Sequence, residues 1–162
     1  MTILKRQKTM KKNKEKFRLI GLKMPHKTTN QNNQSSKECG NLWQQFEKDN
    51  IFDLIPNKLS NEIYAVYYDY ESDENGFFSY FIGCKVDETT EIPEGLTSLE
   101  IPSQNYEIIT AKGVMTACIT EVWEKIWNSE MERKFGFDFE VYDERSRDWN
   151  DAEVDIYVSV TT

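Results

Sequence analysis

A single glutamate set among aromatic residues is the most chemically suggestive feature of this 162-residue chain. In FDFEVYDE, residues 137–144, Phe137, Phe139 and Val141 alternate as a strand with one buried face would, which turns Glu140 and Tyr142 the other way. That second face is either solvent or an aromatic pocket with a carboxylate as its floor, waiting for a positive group. Other chemistry is thinly represented. Cys39, Cys84 and Cys118 are widely spaced and form no CxxC pair. They read as reduced thiols of a cytoplasmic protein. His26 is the single histidine and has no evident partner, so neither a zinc site nor a Ser-His-Asp or Cys-His set is expected. No cofactor is implied.

The elements that must position Glu140 follow from periodicity. FRLIGLKM (17–24) reads as a strand. A helix over about 35–50 carries Leu42, Trp43 and Phe46 on one stripe, with Ser35 or Ser36 at its start. EIYAVYYDYE (62–71) and FFSYFIGCKV (77–86) form a hairpin around Asn75-Gly76. DETTEIPEGLTSLEIPSQ is expected to be a loop, with Pro93, Gly95 and Pro102 as breakers. The order then repeats. NYEIITAKG (105–113) is a strand, 115–134 a helix with Val122, Trp123 and Ile126 inward, and FDFEVYDE and EVDIYVSV (153–160) a closing pair. Trp43, Trp123 and Trp127 default to core, or else line a cleft where the helices part. The expected fold is α+β: two pseudo-symmetric βαββ repeats forming a mostly antiparallel sheet with two main helices.

Charge divides the chain. Net charge is −8, yet residues 1–18 hold eight of the 20 basic residues and one of the 28 acidic ones. The remainder is therefore near −15, which disfavours nucleic acid and favours cations. Residues 1–16 are expected to be a disordered leader, of which 1–15 are dispensable for folding, with Met10 a candidate start, and 17–162 one domain. No apolar run approaches the roughly 20 residues that span a bilayer, so no membrane role is expected.

The sequence FRLIGLKM…LWQQF…EIYAVYYDYESDENGFFSYFIGCKV…IITAKG…VWEKIW…FDFEVYDE…EVDIYVSV resembles the GyrI-like, or AraC-type effector-binding, domain family over about residues 17–160. The resemblance implies two βαββ repeats around a central pocket. It also implies a sensor of multidrug-like cations or, in some members, a hydrolase of small strained-ring compounds. The pocket glutamate of the family falls on Glu140 and an aromatic of its last strand on Tyr157, although Val158-Ser159 stands where relatives often have Ile-Pro. Tyr68, Tyr142 and Trp149 complete the expected lining, while Tyr64, Phe81 and Asp155 are expected to pack or lie at edges. The leading expectation is thus a stand-alone module that binds a small lipophilic cation and serves a separate regulator protein. A hydrolase in which Glu140 activates water is the first alternative. An acidic protein-interaction partner is the second.

Overall fold

The computed structural model describes residues 9–161. Nine strands and three helices follow in the order β1 (Met10–Lys14), β2 (Phe17–Lys23), β3 (Thr28–Thr29), α1 (Gln34–Lys48), α2 (Ile51–Leu54), β4 (Ile63–Tyr68), β5 (Phe77–Val86), β6 (Thr97–Ile101), β7 (Gln104–Gly113), α3 (Ala117–Trp127), β8 (Asp138–Tyr142) and β9 (Ala152–Val160). All the ladders are antiparallel, and the strands run β1-β7-β9-β8-β4-β5-β2-β6, with the short β3 alongside β5. The expected α+β class and the βαββ order, β2-α1-β4-β5 followed by β7-α3-β8-β9, are both present.

Two departures from the expected elements share one cause. Met10–Lys14 lies in the segment read as a disordered leader, yet it pairs along its length with β7; residues 1–8 lie outside the described residues. Thr97–Ile101, read as part of a loop, pairs with β2. Both are edge strands; Met10–Lys14 has no apolar alternation, and in Thr97–Ile101 it is confined to Leu99 and Ile101, which join the core of one face. Each stands before one repeat in sequence and flanks the other in space. Helix α3 is also shorter than expected. Beyond it, Asn128 Nδ2 bonds the Glu124 carbonyl and Ser129 Oγ the Ile126 carbonyl. The chain then runs back to the end of β9, where Lys134 N–H meets the Ser159 carbonyl.

The edges force the sheet to bend. Residues 15–16 alone join β1 to β2, six places apart in strand order, or roughly 28 Å in a flat sheet at usual strand spacing. Two residues reach only roughly 11 Å between strand ends. The same bend brings the Phe17 ring on β2 within 5.7 Å of Phe139 on β8, three strands away. Gly21 and Gly83 face each other across β2 and β5, where a Cβ on either would strike the other strand's backbone.

Burial follows from the curvature. Phe17, Tyr64, Val66, Tyr68, Phe81, Tyr106 and Phe139 form the core of the helix-free face. The other face carries two cores. In one, Leu42 and Phe46 of α1 pack on Ile20, Tyr80 and Ile82 of the sheet. In the other, Val122, Trp123 and Ile126 of α3 pack on Ile109 and Ile156. Tyr67 and Tyr142 pack against both of these cores, in the seam between the helices.

Candidate functional site

Period two puts Glu140 on the helix-covered side of β8, in that seam. Its side chain is 1% exposed and receives three hydrogen bonds. Tyr67 OH and Trp123 Nε1 each donate to Oε2 at 2.7 Å, and Tyr142 OH donates to Oε1 at 2.6 Å. Each donor comes from a different element, β4, α3 and β8. Trp43 from α1 closes the remaining side, stacking edge-on against Tyr142 at 4.9 Å and donating its Nε1 to Tyr80 OH at 2.8 Å.

The register explains why there is one carboxylate and not two. Central strands β4 and β8 pair Ala65 with Glu140, Ile63 with Tyr142 and Tyr67 with Asp138. A two-fold axis between β4 and β8 therefore exchanges Ala65 with Glu140 and Tyr67 with Tyr142. The two tyrosines reach the same carboxylate from opposite sides. The small Ala65 leaves the space into which Glu140 extends. Trp43 and Trp123 occupy matching helices, but Trp43 bonds Tyr80 because no acid lies opposite it.

Electrostatics at this point are unusual. Burial raises the Glu140 carboxyl above its usual 4.5, while the bonds from Tyr142, Trp123 and Tyr67 act in the other direction. Burial first, and the neighbouring carboxylate second, push the Tyr67 and Tyr142 hydroxyls well above 10, so both remain protonated donors. No lysine, arginine or histidine among the described residues forms a salt bridge with Glu140. The acid is held by neutral dipoles and aromatic walls. Activation of a water by Glu140 would first require a path to its Oε1, which accepts one bond and is buried.

Two openings approach the cluster. A groove of about 1060 Å³ runs along Trp43, Phe52, Tyr142 and Trp149, with Glu47, Glu62, Asp143 and Glu144 at its rim against one Arg147. A smaller cavity of about 140 Å³ lies beyond Tyr67 and Trp123.

The expected site residues divide accordingly. Glu140 and Tyr142 share the cluster, and Trp149, 61% exposed, lines the groove. Tyr68 and Tyr157 do not join them. Both point to the helix-free face, Tyr68 stacked on Phe137 at 5.4 Å and Tyr157 on Phe139 at 4.6 Å. The cause is parity: Tyr67, not Tyr68, corresponds to Tyr142, and Tyr157 pairs with Phe139, not Glu140. Tyr157 does meet a cation, the chain's own Lys14, whose Nζ lies 5.2 Å from its ring and 5.3 Å from that of Phe17. Sequence reasoning missed Tyr67 and Tyr80, and it left Trp43 and Trp123 between core and cleft. The available signal was the β4–β8 register, in which an aromatic two residues from Ala65 matches Tyr142.

Comparison with known proteins agrees with this architecture. The family described as integron-associated effector binding protein (Cass2) matches residues 12–160. YobU of Bacillus subtilis, whose name assigns it to transcriptional regulation, is 28% identical over 123 residues, covering 74% of this chain and 77% of its own. The integron cassette protein VCH_CASS2 of Vibrio cholerae superposes with a TM-score of 0.71 at 25% identity, over 96% of this chain and 97% of its own. SAV2435, whose structure was solved bound to tetraphenylphosphonium, has the same fold at a TM-score of 0.76 and 16% identity, over 96% and 94% of the two chains. The effector-binding domain expected from the sequence is thereby established. No helix of the described residues is long and apolar enough to cross a membrane.

Proposed function

Because the chain belongs to the integron-associated effector-binding protein family, we propose that it is a receptor module for a lipophilic small-molecule cation, with Glu140 as the counter-charge. The observation that carries this reading is a carboxylate at 1% exposure, bonded by three neutral donors and without a basic partner among the described residues. Such a group is costly to keep ionised unless a cation arrives. Tyr142 stands between the carboxylate and the acid-rimmed groove, so entry exchanges its hydroxyl bond for an ion pair. Trp43, Tyr67 and Trp123 then offer ring faces, each worth about 0.5 to 2 kcal/mol to a delocalised or quaternary cation. Tetraphenylphosphonium, the ligand of the structurally similar SAV2435, is a suitable probe. We assign the signal to a separate regulator protein, consistent with the regulatory name of YobU.

The test is a titration of wild type and Glu140→Gln with tetraphenylphosphonium and with uncharged triphenylphosphine oxide. The glutamine retains the shape, and Tyr142 can turn its hydroxyl to accept from the new amide. Cation affinity should fall by roughly 2 to 5 kcal/mol, as for loss of one partner of a desolvated charge pair, with little change for the neutral compound. Equal losses for both ligands, or none for either, would refute the counter-charge role.

A further inference from the structure

We infer that the site, with Glu140 as counter-charge as proposed above, selects a lipophilic amine that carries its charge as N–H over a quaternary onium of the same shape. The two oxygens of the carboxylate are not equivalent. Oε2 accepts from Tyr67 OH and from Trp123 Nε1, each at 2.7 Å. Oε1 accepts from Tyr142 OH alone, at 2.6 Å. Each oxygen of an ionised carboxylate has room for about two hydrogen bonds, so Oε2 is filled and Oε1 is half-filled. The whole side chain is 1% exposed, so no water shell makes up the difference.

Position divides the donors in the same way. The Tyr67 ring packs edge-on against those of Tyr80 at 5.0 Å and Trp123 at 5.2 Å, which holds both donors to Oε2 in one aromatic cluster. Tyr142 lines the large groove, whereas Tyr67 and Trp123 do not. A ligand entering from the groove therefore displaces the Tyr142 bond and meets Oε1. Ring faces attract either kind of cation and do not discriminate between them. The hydrogen bond does. An onium brings charge and no donor, so once Tyr142 has moved aside Oε1 is a buried, charged acceptor with no bond at all. A protonated tertiary amine puts its N–H where the hydroxyl was, exchanging a bond to water for a charge-assisted bond to Oε1. One hydrogen bond to a charged acceptor corresponds to about tenfold or more in affinity.

Benzhydryldimethylamine and benzhydryltrimethylammonium are the probes, since they differ only by a methyl group in place of the N–H. Calorimetric titration at neutral pH, where both are cationic, should show wild type binding the tertiary amine about tenfold tighter or more. In Glu140→Gln, which keeps the volume of the side chain, Tyr67 and Trp123 hold the amide oxygen at the Oε2 position and the NH2 takes that of Oε1. An N–H ligand then meets a donor. Both affinities should fall, and the preference should shrink to within about twofold. Equal affinities in wild type, or a tighter quaternary ion, would overturn the N–H requirement, while a loss of both ligands in Glu140→Gln would still uphold the counter-charge. A preference that persists undiminished in Glu140→Gln would put the acceptor elsewhere, on a groove acid such as Glu47 or Glu144, and overturns the inference too. No effect of Glu140→Gln on either ligand would remove the counter-charge itself, and the N–H requirement with it.

Discussion

Three neutral donors on a buried carboxylate set up a measurable conflict at the residue scale. Burial lifts the folded-state value of Glu140 above the usual 4.5. Between 4.5 and that higher value the folded state holds more protons than the unfolded chain, so stability falls as pH rises through the window. Above it, the full cost of an ionised buried acid is present; below 4.5 the cost vanishes. The stability of wild type minus that of Glu140→Gln, from urea titrations at a series of pH values, should therefore decline from acid towards neutral pH and then level. A flat difference would show that Glu140 titrates as an ordinary surface acid. Tyr67→Phe removes one donor to Oε2 and should cost roughly 1.5 to 3 kcal/mol at neutral pH, the range for a bond to a charged acceptor, and less in acid. The identity of the acid was legible in the sequence because an acid between aromatics breaks the economy of a strand. Its partners were less so. Tyr67 and Tyr68 are adjacent tyrosines on β4, and a one-residue slip in matching the repeats sends a side chain to the opposite face.

At the scale of elements, the interior strands and both main helices could be read from apolar periodicity, whereas β1 and β6 could not. MKKNK and TSLEI are largely polar or exposed, and their order comes from the β7 and β2 ladders they extend. Strand β1 also carries Lys14 to the helix-free core, over Phe17, Phe139 and Tyr157. Burial, followed by repulsion from Lys85 and Lys12, lowers the pKa of this amine, so its place is a compromise between desolvation and the ring faces. Against the expectation that residues 1–15 are dispensable stands the pairing of Met10–Lys14 with β7. Deletion through Lys14 strips one edge from the sheet and uncovers the Tyr157 ring, and should lower the melting temperature by several degrees. Deletion of residues 1–8 alone provides the control. Equal melting temperatures for full-length protein and the longer deletion would mean that β1 contributes no net stability.

At the scale of the whole molecule, the site is a broken symmetry. Duplicated βαββ units meet at β4 and β8, and the two-fold between them supplies paired tyrosines and paired helices, but one acid. A seam of this kind can take a charge at either of two equivalent positions, of which the chain uses Glu140 and leaves Ala65 small. Ala65→Glu should be strongly destabilising at neutral pH, because directly opposed residues place their Cβ atoms about 4.5 to 5.5 Å apart and two buried carboxylates would face each other. Acidification should recover much of that loss as one of them takes up a proton. Combining it with Glu140→Ala moves the carboxylate across the axis into the space just vacated, within reach of the same two tyrosines. Trp123 is then left without its acceptor, and Trp43 remains engaged with Tyr80. The double variant should consequently be more stable than Ala65→Glu alone. Its affinity for tetraphenylphosphonium should fall between those of wild type and Glu140→Ala, and the double-mutant cycle should show coupling well above 0.5 kcal/mol, the usual limit of additivity for distant sites. Strict additivity of the two losses would mean that the halves of the seam do not share one site, and that Glu140 owes its place to β8 and α3 rather than to the axis.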